Sequence, residues 1–444
     1  MNLKIYKIET YGLKNIKEKM TIEFYPKTIN VTSKKLSNIK AIYGTNGAGK
    51  SAFINSVQLY KNILVNSMFL KQPNEIKTLL KMRNQESNCF YFSVVYGLVN
   101  SKKDIFKHEI EISFEDDFPY ISYEKLGRIN SRTINGEYEP IIEVVNGDVF
   151  VKTNKTTKFD ELLIDKTKNI LKYSSLGSAV LDKNLMKEVM EYIENSPVKE
   201  HIPTLNSVHY VLLNRVLGDS IVVYLDNMDI HKEYDETFLD NMLNQYFNDK
   251  ETYKIIIMGP HKDIVSKSNY SDYEKHVEKL YYFLRIFKTD LLGIEIEKQE
   301  DKDFYYCNKK LIYENYKVDS DYESTGIQKM MSIFNSVEAV TRNKIVFIDD
   351  LDANINGVYL KALLEYLNES KKGQLCFTTH NLYPMHYLYN FTNAIDFIGE
   401  TGKVVSWTKN GNYRPYKLYP EGMISDSPFN IDSIDFVSVF EAED

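Results

Sequence analysis

The sequence predicts an α/β fold, a mixed sheet with a flanking antiparallel β subdomain and a helical insertion. Three observations predict it. In Lys40-Ala41-Ile42-Tyr43-Gly44-Thr45-Asn46-Gly47-Ala48-Gly49-Lys50-Ser51 an apolar run ends in a glycine-rich loop, and Ala52, Phe53, Ile54, Val57, Leu59 and Tyr60 follow at helical spacing. Two later apolar runs, Lys344-Ile345-Val346-Phe347-Ile348 and Leu375-Cys376-Phe377-Thr378-Thr379, end in acidic and polar residues as buried parallel strands do. Between the two regions the apolar period changes from two to three-and-four.

Residues 3–8 and 20–24 alternate apolar with polar and are separated by a turn at Tyr11-Gly12, which reads as a β-rich lead-in. Gly44, Thr45, Asn46, Gly47, Ala48, Gly49, Lys50 and Ser51 then fit G-x-x-x-x-G-K-[ST]. Backbone N–H groups of such a loop cradle phosphates, the lysine neutralises them, and the hydroxyl reaches Mg²⁺. The positive end of the following helix points at the same anion. Residues 89–99, 106–114 and 120–124 alternate over hairpin-sized spacings, as in an antiparallel sheet with one wet face.

From residue 156 to 291 the spacing is helical, as in Leu185, Val189, Met190, Ile193, then Leu239, Met242, Leu243, Tyr246, then Val277, Leu280, Tyr281, Leu284. The run Ser220-Ile221-Val222-Val223-Tyr224-Leu225-Asp226 reads as a buried helix or strand of this insertion, because nothing phosphate-binding pairs with it. Strands resume at 292–296 and in a hairpin at 304–313. The expected division is therefore 1–155 for the N-terminal part of the core with its β subdomain, 156–291 for the insertion, and 292–444 for the C-terminal part of the core.

Three short stretches in that last part carry chemistry. Ser324-Thr325-Gly326 opens a helix and offers a hydroxyl, N–H groups and a dipole end to an anion. Asp349 and Asp350 close an apolar strand, which places a carboxylate beside a phosphate-bound Mg²⁺. His380 closes the next such strand. Asp301-Lys302-Asp303 and Asp319-Ser320-Asp321 read as solvated turns, and no R-x-x-x-x-H is present, so a self-contained nuclease is disfavoured.

The 444 residues carry 55 basic and 62 acidic side chains, a net charge of −7, which gives no whole-chain electrostatic case for nucleic acid. Three cysteines without C-x-x-C spacing fit neither a zinc site nor a disulfide framework. No apolar run approaches the ~20 residues of a membrane span, and Met1-Asn2-Leu3-Lys4-Ile5 lacks a signal-peptide pattern. The expectation is a cytoplasmic protein with no membrane partner.

Taken in order, the phosphate loop, the insertion, the Ser-x-Gly turn, the acidic strand end, Asp352 and His380 make the chain similar to the ATP-binding-cassette ATPases of the SMC, RecF and OLD-like kind. Among these it most resembles the AAA-family ATPases of bacterial phage-defence and abortive-infection systems, such as AriA-type subunits. The motifs cover residues 3–60 and 320–430, and Tyr419-Pro420-Glu421-Gly422-Met423 and Ser427-Pro428-Phe429-Asn430-Ile431 look like that group's closing segment. The resemblance implies a P-loop NTPase fold of the ABC-ATPase type that binds ATP and Mg²⁺. Lys50 is then the phosphate lysine, Ser51 and Asp349 the Mg²⁺ ligands, Asp350 the residue in the place of the usual catalytic glutamate, and His380 the switch histidine.

The resemblance also implies that Ser324 and Gly326 form the signature turn, here Ser-Thr-Gly-Ile-Gln rather than Leu-Ser-Gly-Gly-Gln, and that Asp352 is the D-loop acid. Gln72 and Gln85 both remain candidates for the Q-loop residue. Asp350 is one methylene shorter than glutamate, which implies slow turnover. A homo-oligomer, at least a dimer, is implied, acting as a nucleotide-gated switch on a partner such as a toxin effector or a phage trigger. The alternative is a DNA-repair ATPase that clamps nucleic acid.

Overall fold

The computed structural model describes residues 3–25, 36–98, 105–129, 136–152, 158–167, 170–179, 207–225, 256–258, 262–399, 402–408 and 413–424. The helical spacings at 185–193 and 239–246 and the closing segment at 427–431 lie outside the described residues.

In chain order, β1 (Leu3–Tyr11) and β2 (Met20–Glu23) precede β3 (Ile39–Gly44), α1 (Lys50–Val65) and α2 (Pro73–Met82). The alternating segments follow as β4 (Cys89–Leu98), β5 (Ile105–Glu115), β6 (Phe118–Ile129), β7 (Tyr138–Val145) and β8 (Asp148–Val151). Then come α3 (Lys158–Thr167), α4 (Leu176–Ala179), α5 (Ser207–Ser220) and β9 (Ile221–Tyr224). A mixed stretch gives β10 (Ile256–Met258), β11 (Asp263–Ser266), α6 (Tyr270–Arg285), β12 (Gly293–Glu300), β13 (Phe304–Ile312) and β14 (Lys317–Asp319). The remainder is α7 (Thr325–Thr341), β15 (Ile345–Ile348), α8 (Gly357–Ser370), β16 (Gln374–Thr378), α9 (Tyr383–Leu388), β17 (Ile395–Ile398), β18 (Val404–Ser406) and α10 (Pro415–Leu418).

Two compact units form, one from Met1–Val223, Ala339–Asp349 and Leu364–Asp444, the other from Tyr224–Glu338 and Asp350–Leu363. The first contains an antiparallel sheet in the order β2-β1-β4-β5-β6-β7-β8 and a mixed sheet in the order β18-β17-β3-β16-β15-β9. In the mixed sheet β17, β3, β16 and β15 are mutually parallel and β18 is antiparallel to β17. Every residue of β3, β15, β16 and β17 is buried, which is why these runs read as continuously apolar rather than alternating. The second unit carries the sheet β10-β11-β13-β12, with β14 on β13.

Residues 156–291 are thus not uniformly helical. They supply β9 to an edge of the mixed sheet and β10 and β11 to the third sheet. Four residues, Ile-Val-Val-Tyr, are too few for periodicity to separate a strand from a buried helix, and their β-branched content decides the outcome.

Helix α1 lies against both sheets of the first unit. Ten of its sixteen residues are buried, so it lacks the broad polar face of a surface helix. Phe53 meets Phe347 of β15 with ring centroids 6.3 Å apart, while Val57 and Tyr60 face Ile5, Ile8, Phe92 and Val94 of the antiparallel sheet. At its C-terminal end α5 comes so close that a Cβ on Gly218 would stand 2.9 Å from Leu64 Cβ.

A buried polar chain fixes this position. The Tyr60 hydroxyl lies 2.9 Å from His108 Nδ1, and His108 Nε2 lies 2.9 Å from Glu124 Oε1. Glu124 also accepts from Ser175 Oγ at 2.9 Å and from the Leu176 N–H at 2.9 Å, which ties β6 to the start of α4. Burial holds the Tyr60 phenol well above its ordinary pKa, so it stays protonated.

Two further contacts hold the mixed sheet, one within it and one to the antiparallel sheet. Lys40 of β3 and Asp396 of β17 form an ion pair of 2.6 Å with both side chains buried. Strand β2 pairs only with residues 7–10 of β1, so Ile5 lies beyond its end. The Gln374 side chain takes that place, accepting from Ile5 N at 3.0 Å and donating to Ile5 O at 2.9 Å, and so joins β16 to β1. Replacing Gln374 with Ala leaves a buried N–H and a buried C=O unmatched. The expected loss is roughly 2–4 kcal/mol in urea-induced unfolding of the first unit, and a loss under about 0.5 kcal/mol would show that the amide bridge contributes little.

Candidate phosphate-binding site

The loop between β3 and α1 is shaped by three glycines. Gly44 ends β3 opposite Ile398 in parallel register, and a Cβ there would stand 2.6 Å from the Ile398 carbonyl oxygen. Gly47 (φ 79°) and Gly49 (φ 104°) are left-handed, a conformation that side chains disfavour. Helix α1 starts from Gly49 with no acidic residue in its first turn, so its positive end faces no carboxylate of its own.

Lys50 is buried and folds back over the loop, its Nζ donating to Gly44 O and Thr45 O at 3.0 Å each. Thr45 Oγ1 is buried with no hydrogen-bond partner among the described residues. A loop of left-handed glycines with an enclosed ammonium and an orphaned hydroxyl is a cradle suited to an anion. The Asn15 side-chain amide donates to Gly47 O and props the loop from the turn between β1 and β2. Sequence reasoning missed Asn15, because its turn is ordinary in composition and nothing in it signals a partner 32 positions away.

Strands β3, β16 and β15 run parallel, so Gly44, the Thr378–His380 segment and Asp349 all lie at the carboxyl edge of one sheet. Asp349 is 6% exposed and its Oδ1 accepts from the Thr378 hydroxyl at 2.6 Å. Thr379 N donates to Ile42 O at 3.1 Å, Asn381 N to Thr379 Oγ1 at 2.9 Å, and the Tyr43 hydroxyl to Asn381 O at 3.1 Å. These bonds fasten the end of β16 to the strand that carries the loop, and leave His380 exposed between them. Tyr419 of the closing segment stacks on Phe397 at 5.1 Å, against β17.

The remaining candidates belong to the second unit. Ser324 is exposed just ahead of α7, and its carbonyl accepts from Gln328 N at 3.0 Å. Gly326 sits where a Cβ would be 2.9 Å from Asn354 O, so the turn opening α7 packs directly on the 350–356 loop. In that loop Asp350 is left-handed (φ 46°) and its carbonyl accepts from Ala353 N at 3.1 Å, while Asp352 O accepts from Ile355 N at 3.0 Å. The candidates therefore form two sets, Gly44 to Ser51 with Asp349 and His380 in one unit, and Ser324, Gly326, Asp350 and Asp352 in the other.

Ser51 and Asp349 are hard oxygen donors of the type Mg²⁺ selects when phosphate and water complete its shell. Among the described residues no group of three or more His, Cys, Asp or Glu side chains converges. Cys89, Cys307 and Cys376 are free thiols, and burial pushes Cys307 up to about 11, so it stays protonated near neutrality. Among the described residues no helix is long and apolar enough to cross a membrane.

A parallel strand, a left-handed glycine loop and a helix opening on Lys50-Ser51 define a mixed α/β chain with phosphate-loop geometry. No family model matches the chain. An alignment 192 positions long, which covers 38% of this chain and only 16% of the other protein, is 24% identical to 1-phosphatidylinositol 4,5-bisphosphate phosphodiesterase 1 of Candida albicans. Similar solved structures include the Smc head domain of Pyrococcus furiosus bound to the C-terminal domain of ScpA (14% identity, TM-score 0.42, 91% of this chain and 96% of that one). The recombination mediator RecF with ATP is another (14% identity, TM-score 0.37, 91% of this chain and 99% of that one). With TM-scores below 0.5 these likenesses are remote, and the strand order and loop geometry above define the fold.

Lys50→Ala removes the enclosed ammonium from the loop. The expected result is a loss of ATP affinity of at least about tenfold in isothermal titration, with the melting temperature within a few degrees of wild type. Unchanged affinity in the folded variant would refute the cradle.

Proposed function

We propose that the chain is a Mg²⁺-dependent ATPase of the ATP-binding-cassette type, acting as a homo-oligomer whose closure is gated by nucleotide. The observation that carries this reading is the shared carboxyl edge of one parallel sheet, where the Lys50 loop, Asp349 and His380 stand on β3, β15 and β16. Lys50 neutralises the terminal phosphates of ATP, and loop N–H groups hold them. Ser51 and Asp349 hold Mg²⁺, which when bound neutralises charge on the phosphate oxygens. Asp350 orients the attacking water and accepts its proton, and His380 donates to the γ-phosphate. The short Asp350 side chain supports slow turnover.

Ser324 and the N–H groups at Gly326 complete the site from a second copy, since the sequence holds one phosphate loop and one Ser-Thr-Gly-Ile-Gln turn. These contacts exist with ATP and vanish on hydrolysis, and that differential interaction is what a switch requires. The switched partner is a protein, such as a toxin effector or a phage trigger. Resemblance of the motifs at 3–60 and 320–430 to phage-defence ATPases supports that setting. A nucleic-acid clamp is the alternative; it calls for a basic face and steep salt dependence, and the net charge of −7 favours the protein partner.

Division of labour between the two acids is testable by nucleotide binding and phosphate release. Asp350→Asn is expected to keep ATP affinity within about threefold while hydrolysis falls about a hundredfold or more. Asp349→Asn should instead raise the Mg²⁺ needed for nucleotide binding at least about tenfold. Equal effects of the two substitutions on affinity would reject these roles.

Completion in trans predicts complementation. Mixing Lys50→Ala with Ser324→Arg chains should restore roughly a quarter of wild-type turnover, because random pairing makes half the dimers mixed and each has one of two sites intact. An inactive mixture in which mixed dimers demonstrably form, or full activity of a monomer, would rule the composite site out.

A further inference from the structure

Strand β16 reads Gln-Leu-Cys-Phe-Thr, and Thr378 is the residue at which its apolar Leu-Cys-Phe run becomes polar. It is fully buried, and its hydroxyl donates at 2.6 Å to Asp349 Oδ1, itself on a nearly buried carboxylate. The pairing follows from register. Phe347 and Ile348 of β15 face Cys376 and Phe377 of β16, so the next step of the ladder sets Asp349 beside Thr378. Valine has the shape of threonine and would suit the apolar strand, yet here a hydroxyl is enclosed and directed at the carboxylate.

We infer that Thr378 is a positioning residue for Asp349: its hydroxyl engages Oδ1 and fixes the carboxylate rotamer, leaving Oδ2 as the oxygen presented to Mg²⁺. The inference rests on the Mg²⁺ role proposed above for Asp349. An outer-shell hydrogen bond of this kind removes the rotational freedom of a ligand before the metal arrives, and its loss typically weakens metal affinity about 10- to 100-fold. Thr379 and Asn381, the other polar residues at this strand end, bond to backbone and to each other and so leave this task to Thr378.

The test uses the full chain and a fluorescent ATP analogue titrated with Mg²⁺, alongside Mn²⁺ binding followed by electron paramagnetic resonance. Thr378→Val and Thr378→Ala are expected to raise the Mg²⁺ midpoint and the Mn²⁺ dissociation constant about tenfold or more, while affinity for the analogue in EDTA stays within twofold of wild type. Thr378→Ser, which keeps the hydroxyl, is expected to stay within about threefold on both metal readouts. If Thr378→Val and Thr378→Ala lower the melting temperature yet leave the metal midpoints unchanged, the hydroxyl is structural only and the inference falls. Asp349→Asn separates the two levels. A normal midpoint in that variant would overturn the Mg²⁺ role of Asp349 itself, whereas a shifted midpoint there beside unshifted Thr378 variants would overturn only the role of Thr378.

Discussion

The enclosure of α1 between two sheets is the constraint on which the first unit depends. The helix must present Lys50 and Ser51 at one end, and a helix free to tilt about its base would move both. Phe53 against Phe347, Tyr60 against His108 and Phe92, and Leu64 against Gly218 hold it at its start, middle and end. Each large apolar side chain buried in this way stabilises by about 1.5–3 kcal/mol, so tilting would expose several at once. The polar chain from Tyr60 to Glu124 adds direction to this apolar grip. A buried carboxylate is unfavourable unless its hydrogen bonds are made, and Glu124 makes them to Ser175, Leu176 and His108 together.

The mixed sheet meets a related demand at its carboxyl edge, where the glycine loop, Asp349 and His380 share one end of the parallel strands. Gly44 lets β17 come close, and the buried Lys40–Asp396 pair holds those two strands together deeper in the sheet. Such a pair contributes little net stability against an apolar equivalent, but removing one partner alone would strand a charge in the interior. Thr379 and Tyr43 do similar work between β16 and β3, so three strand ends with different chemistry stay in one register.

The glycine loop, the Asp349 strand and the antiparallel β subdomain were legible in the sequence because each is written in contiguous residues. A motif of fixed spacing, a run of buried aliphatics and an alternation all carry their own period. Asn15, Gln374 and Thr378 were not legible, because each acts on a partner that only the folded topology brings near. Gln374 serves Ile5 across 369 positions, and no local pattern distinguishes its amide from an ordinary loop glutamine. Strand β9 reads in sequence as a buried helix or strand of the insertion, and what stayed illegible was its place: four residues carry no period, and only pairing assigns them to the mixed sheet.

The separation that hid Gln374 also bears on how the protein is made. Strand β3 lies between β16 and β17, so neither of its hydrogen-bonding neighbours exists until the chain has been synthesised beyond residue 374. At about 5–20 residues per second, the 369 positions between Ile5 and Gln374 take roughly 20–70 s to emerge. From its own emergence until then the run Ile-Lys-Ala-Ile-Tyr-Gly has two open edges. The sheet that carries the glycine loop is therefore completed only after β16 and β17 have emerged, long after the loop itself has been translated.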